Sequence, residues 1–377
     1  MKIVYISNSI IPSRTANSIH VMKMCQAFAD NGHEVVLLAP NRYKEYENGV
    51  DDVYEYYGVR KNFEIQKLSY TYTRVLRNFY YAYHVLKEIK IINPDIVYGR
   101  DLYGCFFSSY KYPTIFEAHA PMNNFVSKQL LNLMDKNHLY KHTVVISDAL
   151  KNLILKSQNI KSDKIVVAHD GADEVVDFDI KAELQGNKES LKVGYVGHLY
   201  KGKGIEVIAD IAKKTSEGVE FHIVGGLEKD INRWKSIIKN KNVYFYGFVP
   251  QNEVSSYINA MDVCLLPNQK EVLTHGADKG GMNISDFTSP LKMFEYMAHK
   301  KAIICSDLPV LREILNEDNS VLVKCDDILD WRKAIEVLQD DSLRLQIANR
   351  AYEDFIKIIA KNQKAQEALK ETTEVNE

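Results

Sequence analysis

The chain is short of the features that mark most specialised protein classes. It has no run of about 18 apolar residues, the minimum for a helix that crosses a bilayer core, and so offers no candidate membrane span. Its opening, MKIVYISNSI, holds too short an apolar run for a secretory leader and soon reaches a turn, as a first buried strand does. Cys25, Cys105, Cys264, Cys305 and Cys325 include no C-x-x-C pair, which argues against zinc and dithiol redox work. Odd in number and scattered, they read as small buried apolar groups in a reducing compartment, so the expected location is cytoplasmic. Neither charge is in excess: 48 lysines and arginines face 50 acids, which leaves no bulk field for nucleic acid. A Walker loop is absent, as is a G-x-G-x-x-G following a strand. There is no solenoid repeat, low-complexity block or convincing metal-ligand cluster either.

What is present is a globular composition, 46% hydrophobic and 26% charged, spread over 377 residues. That length exceeds one ordinary core and favours two domains of about 150 to 200 residues. KIVYI, then Val21, Met24, Cys25 and Phe28 at helical spacing closed by Gly32, then EVVLLA, make a βαβ unit. PDIVYG, PTIFEAH and HTVVIS continue as strands of a parallel sheet. From Ile180 to Ser190 the apolar periodicity fails around Gly186 and Asn187, which marks a linker. The pattern then restarts with LKVGYVG, VEFHIVGG, NVYFYGF, DVCLLP and KAIICSD, each followed by a loop and a helical stretch. The expected fold is α/β: two Rossmann-like doubly wound domains, 1–182 and 190–353, facing each other across a cleft at the carboxyl ends of their strands. A C-terminal helix over 354–377 is a candidate to return to the first domain.

Two segments carry candidate chemistry. VGYVGHLYKGKG, residues 193–204, joins a strand to a helix; its glycines permit close backbone approach, and the helix N-terminus behind them favours an anion. Lys203 then either meets a phosphate or is one of two solvated lysines in a glycine-rich turn. TSPLKMFEYMA, residues 288–298, opens a helix with Ser289 as N-cap and Pro290 in the first position. The N–H groups of Leu291 and Lys292 are left facing outward, where the helix dipole favours an anion by about 0.3 to 1 kcal/mol. Glu295 either accepts hydrogen bonds from sugar hydroxyls of the same ligand or faces water.

The ordered set VGYVGHLYKGKG, FHIVGG, NVYFYGFVPQNEVSSYINAMDVCLLP and SPLKMFEYMAHKKAIICSDLPVLREIL resembles the retaining GT-B glycosyltransferases of family 4, with a glycosyl transferases group 1 C-terminal domain. The resemblance runs from Met1 to about Phe355. It implies that Lys203 contacts the donor diphosphate, that Glu295 binds the donor ribose, and that the main chain at Phe248 and Val249 holds the nucleobase. It also places His119, at the end of FEAHAP, against the donor sugar, with Glu117 ranked behind it. The implied reaction moves a hexose or N-acetylhexosamine from a UDP- or GDP-sugar co-substrate to a hydroxyl of a glycan, polysaccharide or lipid-linked acceptor. The family retains anomeric configuration, requires no metal or other cofactor, and uses the departing phosphate to help deprotonate the acceptor.

Two departures stand out. Where the family has an arginine five residues before the lysine, this chain has His198; where it has an acid eight residues before Glu295, this chain has Phe287. Asp286, one residue before the missing acid, either contacts the transferred sugar in its place or is a plain loop residue. The same choice applies to His275 and Lys279 in the long polar loop that precedes it. The first βα loop has Ala16, Asn17 and Ser18 where relatives carry paired glycines; Asn17 and Ser18 are equally candidates to cap the helix. Arg14 and His20 are candidates to face the acceptor.

On this reading Lys203, His198 and the helix end from Ser289 to Lys292 stabilise the departing diphosphate, and His119 and Asp286 attend the sugar. Between Arg60 and Lys90, seven basic residues and two acids interleave with Tyr70, Tyr72, Phe79, Tyr80, Tyr81 and Tyr83. Such a stretch either meets an anionic membrane carrying a lipid-linked acceptor or packs its aromatics inward. Two rival functions remain: a GT-B sugar-nucleotide epimerase, and a catalytically silent carbohydrate-binding partner, the latter suggested by Phe287.

Overall fold

The computed structural model describes residues 1–73, 76–215, 217–273 and 282–374, the side chains of 360–374 excepted. Met1–Ala168 and His169–Glu377 form two compact units.

The first unit runs β1 (Lys2–Ile6), α1 (Ala16–Asp30), β2 (Glu34–Pro40), α2 (Val53–Tyr56), β3 (Glu64–Leu68), α3 (Arg77–Ile92), β4 (Ile96–Gly99), α4 (Leu102–Ser108), β5 (Thr114–Ala118), α5 (Phe125–Asp135), β6 (Tyr140–Val145), α6 (Asp148–Ser157) and β7 (Ile165–Val167). The strands pair in parallel in the order β3-β2-β1-β4-β5-β6-β7. Helices cover both faces of such a sheet, so its central strands are apolar runs rather than alternations; every residue of β4 and β5 is buried. α1 buries Val21, Met22 and Cys25. It stops where Gly32 adopts φ +81, a conformation that costs a side-chain-bearing residue energy. The N–H groups of Gly32 and His33 close the helix on the carbonyls of Ala29 and Phe28.

The second unit runs β8 (Leu191–Val196), α7 (Ile205–Lys214), β9 (Val219–Val224), α8 (Glu228–Ile237), β10 (Val243–Gly247), α9 (Gln251–Ala260), β11 (Val263–Leu266), α10 (Leu291–Ala298), β12 (Ala302–Ser306), β13 (Val321–Val323), α11 (Ile328–Val337) and α12 (Asp341–Glu374). Its sheet is parallel in the order β10-β9-β8-β11-β12-β13. Ile205, Ile208 and Ile211 of α7 and Trp331 of α11 share one core with β8, β9, β11 and β12. α12 is continuous through residue 354. Among the described residues no helix is long and apolar enough to cross a membrane.

The stretch expected to be a linker is bonded to the second unit. Asn259 Nδ2 donates to the carbonyls of Asp177 and Ile180, the Gln185 N–H donates to Tyr246 Oη, and the Asn187 N–H donates to the Glu220 carboxylate. The compact units divide earlier, at Ala168.

Both sheets share one plan. Strand order reverses between β1 and β4 in the first and between β8 and β11 in the second. At such a reversal the two outgoing connections leave on opposite faces, and a crevice opens at the carboxyl ends of the strands. In the second unit it is flanked by the turn after β8 and the chain after β11, the two segments that hold the sequence candidates.

Candidate functional site

The turn after β8 is built for close approach. The Gly197 N–H donates to the Val224 carbonyl at 2.9 Å, and with φ +141 a Cβ there would come within 2.9 Å of Lys292 Nζ. Tyr195 Oη donates to the His198 carbonyl at 2.7 Å and Trp234 Nε1 donates to the Leu199 carbonyl at 2.9 Å, which fixes the loop from below. Gly204 then leads into α7 with φ +83 and no side-chain cap. The His198 ring stacks on Tyr200 at 5.7 Å between centroids, and Lys203 Nζ lies 5.2 Å from the same ring. Burial lowers the Lys203 pKa to about 8, because an ammonium with little water around it holds its proton weakly.

α10 faces this turn. Its first helical residue is Leu291, and Pro290, with extended ψ 118, occupies the N-cap position without a capping side chain. This corrects the expected boundary by one residue. Ser289 lies outside the cap, and its hydroxyl accepts from the Asp170 N–H at 3.3 Å. The first-turn N–H groups of α10 therefore lack a side-chain acceptor among the described residues. Tyr296 Oη accepts the Val196 N–H at 2.9 Å, tying α10 to the end of β8.

The Lys292 ammonium is the feature that the sequence reading missed. Nζ is buried with no hydrogen-bond partner among the described residues, and it sits 3.7 Å from the centroid of the Tyr195 ring. Burial, with the charge of Lys203 second, pushes its pKa well below the usual lysine value, while Glu295 pulls it back up. Only its place as the one charge between Leu291 and Phe294, in a helix that is otherwise largely apolar, hinted at this in the sequence.

Glu295 is half-buried and accepts from Gln251 Nε2 at 3.2 Å. Gln251 opens α9 two residues after Val249, so the residues expected to take ribose and base lie along one path. Val249 is buried, whereas Phe248 is 39% exposed at the surface. Asp286 is exposed and accepts from Ser285 Oγ at 3.3 Å, and Phe287 beside it turns into the protein. His275 and Lys279 lie outside the described residues.

In the first unit β5 ends at Ala118, and His119, just past the strand, lies against Glu117. Glu117 Oε1 is bonded to His119 Nε2 and lies 2.7 Å from His20 Nε2 of α1, and Oε2 accepts from Tyr5 Oη at 3.0 Å. The two imidazole rings meet edge-on at 4.9 Å. Burial works to raise the Glu117 pKa, but His20 and His119 hold it well below the usual carboxylate range. Glu117 thus organises the pair, a role that the sequence reading, which ranked it behind His119, did not assign.

The remaining candidates are engaged locally. Arg14 pairs with Glu47 at 2.6 Å. Thr15, not Asn17 or Ser18, caps α1: its extended backbone (φ −81, ψ 140) lets its hydroxyl accept the Ser18 N–H. Ser18 is buried with its Oγ 2.9 Å from the carbonyls of Ser13 and Thr15, and Asn17 is half-buried. On α3 Tyr81 packs inward, whereas Phe79, Tyr80 and Tyr83 are exposed. All five cysteines are free and buried.

Comparison with known proteins gives a consistent result. The family model described as Glycosyltransferase Family 4 matches residues 18–175, and that described as Glycosyl transferases group 1 matches residues 190–341. An uncharacterized glycosyltransferase of Methanocaldococcus jannaschii is 24% identical over 394 aligned positions, which cover 95% of this chain and 94% of that protein. The capsular polysaccharide biosynthesis glycosyltransferase CapM of Staphylococcus aureus is 27% identical over 241 positions, 58% of each chain. Among solved structures, Anabaena HepE in complex with UDP superposes with a TM-score of 0.69 at 15% identity, over 98% of this chain and 100% of that one.

Proposed function

Because the chain belongs to the family 4 glycosyltransferases, with a glycosyl transferases group 1 domain in its second half and the GT-B fold, we propose that it transfers a hexose or N-acetylhexosamine from a UDP- or GDP-sugar to an acceptor hydroxyl with retention of configuration. The observation that carries this reading is the placement of Lys203 near Lys292, in the uncapped first turn of α10, at the strand-order reversal of the second sheet. The UDP bound to HepE and the polysaccharide role named for CapM support a nucleotide-sugar donor and a glycan acceptor.

As the bond from the sugar C1 to the β-phosphate oxygen lengthens, negative charge gathers on the diphosphate and positive charge on the sugar. Lys203 and the N–H groups of α10 oppose the first, the contribution that usually dominates in such sites. Glu295 accepts from the ribose hydroxyls, and the main chain at Phe248 and Val249 receives the base. His119, held by Glu117, donates to a hydroxyl of the transferred sugar, and Asp286 approaches the same sugar. The acceptor oxygen bonds to C1 on the face that the phosphate leaves, and its proton passes to the departing phosphate oxygen. No protein nucleophile takes part, and the cations are side chains, so the reaction needs no metal. The outward face of α3 holds the acceptor side near an anionic membrane.

Incubation with UDP-glucose, UDP-N-acetylglucosamine and GDP-mannose tests the reading. The expected result is slow release of UDP or GDP with free sugar, accelerated by an acceptor glycan. A new isomer of the nucleotide sugar without acceptor would establish the epimerase instead, and failure to bind any UDP- or GDP-sugar would overturn both.

A further inference from the structure

We propose that the side-chain ammonium of Lys292 is a second ligand for the donor diphosphate, supplying with Lys203 the paired cation that the family draws from an arginine at the position of His198. The inference rests on the nucleotide-sugar reading above and deepens it.

Three observations converge. First, Lys292 Nζ is buried and without a hydrogen-bond partner among the described residues. A buried ammonium that lacks an acceptor is costly, and a protein that keeps one has a use for it when a ligand arrives. Second, its position is set on several sides: the Tyr195 ring lies 3.7 Å away, and Gly197 leaves the other approach open, since any Cβ there would crowd Nζ at 2.9 Å. Tyr195 in turn holds the turn that carries Lys203 through its bond to the His198 carbonyl. Third, Lys203 lies close enough to Lys292 to lower the pKa of Lys292 further, and α10 directs its uncapped first turn to the same place. Two cations that repel in the empty site, beside N–H groups that also favour negative charge, match a ligand with two adjacent anionic groups. The cation–π contact offsets part of the cost of desolvation while leaving the N–H donors of Nζ unused.

The chemistry is therefore that of a nucleoside diphosphate bridged between two ammonium groups. His198 stacks on Tyr200 and is assigned a smaller share.

Titration calorimetry with UDP and GDP on the full chain, Lys292→Met, Lys292→Gln and His198→Ala tests the assignment. Lys292→Met keeps the length and removes the charge. It is expected to weaken diphosphate binding by tenfold or more while the melting temperature of the unliganded protein stays level or rises. His198→Ala is expected to weaken binding less than threefold. A side chain that only supported the fold would give the reverse, a lower melting temperature with affinity preserved, and so would overturn the proposal. If Lys292→Met itself melts lower, Lys292→Gln decides: binding within twofold of the parent overturns the assignment, and a tenfold loss supports it. A parent that binds neither UDP nor GDP would instead remove the functional reading on which this one rests.

Discussion

Lys203 gains its capacity at a cost in stability that is visible in its titration. Its pKa falls from the usual lysine value to about 8 because it is desolvated. Between about pH 8 and the ordinary lysine range the unfolded chain holds a proton there that the folded chain does not. The contribution of Lys203 to the stability of the empty protein therefore rises with pH through that window, and it is unfavourable below it. Binding runs the other way. A diphosphate needs the charged form, so affinity is full below pH 8 and declines above it, by up to about tenfold per pH unit for one proton. Lys203→Ala is expected to lower turnover about a hundredfold, the scale for one preorganised charge-stabilising group. Its UDP affinity, measured by calorimetry from pH 7 to pH 9, should also change less than that of the parent. Turnover within a few-fold of the parent would assign this lysine another job. Lys203 and Glu295 are proposed from residue type and place in a motif, which the sequence alone supplies. The Lys292 ammonium was not legible there, since its burial against Tyr195 depends on how α10 meets β8, which local spacing does not encode.

Most helices of the first unit and those around the proposed donor site of the second differ in how they begin, although α3 lacks a side-chain cap and Asp327 caps α11. α1, α4, α5 and α6 each start with a side chain accepting from the first turn: Thr15, Asp101, Asn124 and Ser147. α7, α8, α9 and α10, which follow the strands nearest the proposed donor site, have no such cap. A side-chain cap contributes about 0.5 to 2 kcal/mol; its omission leaves N–H groups for a ligand where the chain's own side chains would otherwise take them. The central strands were readable as apolar runs between turns. β3, β7 and β13 were not: EIQKL lacks a β-branched run, and IVV and VLV span three residues each, so pairing with a neighbour defines them more than local pattern does. The outward stripe of α3 has exposed Phe79, Tyr80 and Tyr83 beside exposed Arg77, Lys87 and Lys90, the residues through which the proposed contact with a phosphatidylserine-containing surface would run. Each basic residue near such a surface adds about 1 kcal/mol. Lys87→Glu with Lys90→Glu should therefore lower sedimentation with anionic vesicles by tenfold or more and leave turnover of a water-soluble acceptor unchanged. Equal binding of the parent to neutral and anionic vesicles would remove the membrane role.

At the scale of the whole chain, the six strands of the second sheet repeat the order of the first six of the first, yet among the described residues only the second carries Lys203, Lys292 and uncapped helices at its reversal point. The corresponding end of the first sheet is occupied by carboxylate, hydroxyl and imidazole groups: Glu117, Tyr5, His20 and His119. Identical topology therefore does not imply identical ligands, and the chemistry of each crevice is set by a few loop residues. If the anionic part of the donor belongs to the second unit, a nucleoside diphosphate without its sugar should act mainly there. At a hundredfold excess over its dissociation constant it stabilises the bound state by about 2.7 kcal/mol, enough to slow amide exchange through unfolding of that unit by about a hundredfold. Hydrogen exchange with and without UDP should show this protection over 193–204, 245–251 and 291–298. Amides of β1, β4 and β5 should change far less until the complete nucleotide sugar is added, because His119 is assigned to the sugar and not to the phosphates. Protection that appeared first and most strongly in the first unit would place the diphosphate on the wrong sheet, and the roles of Lys203, Lys292 and Glu295 would fall together.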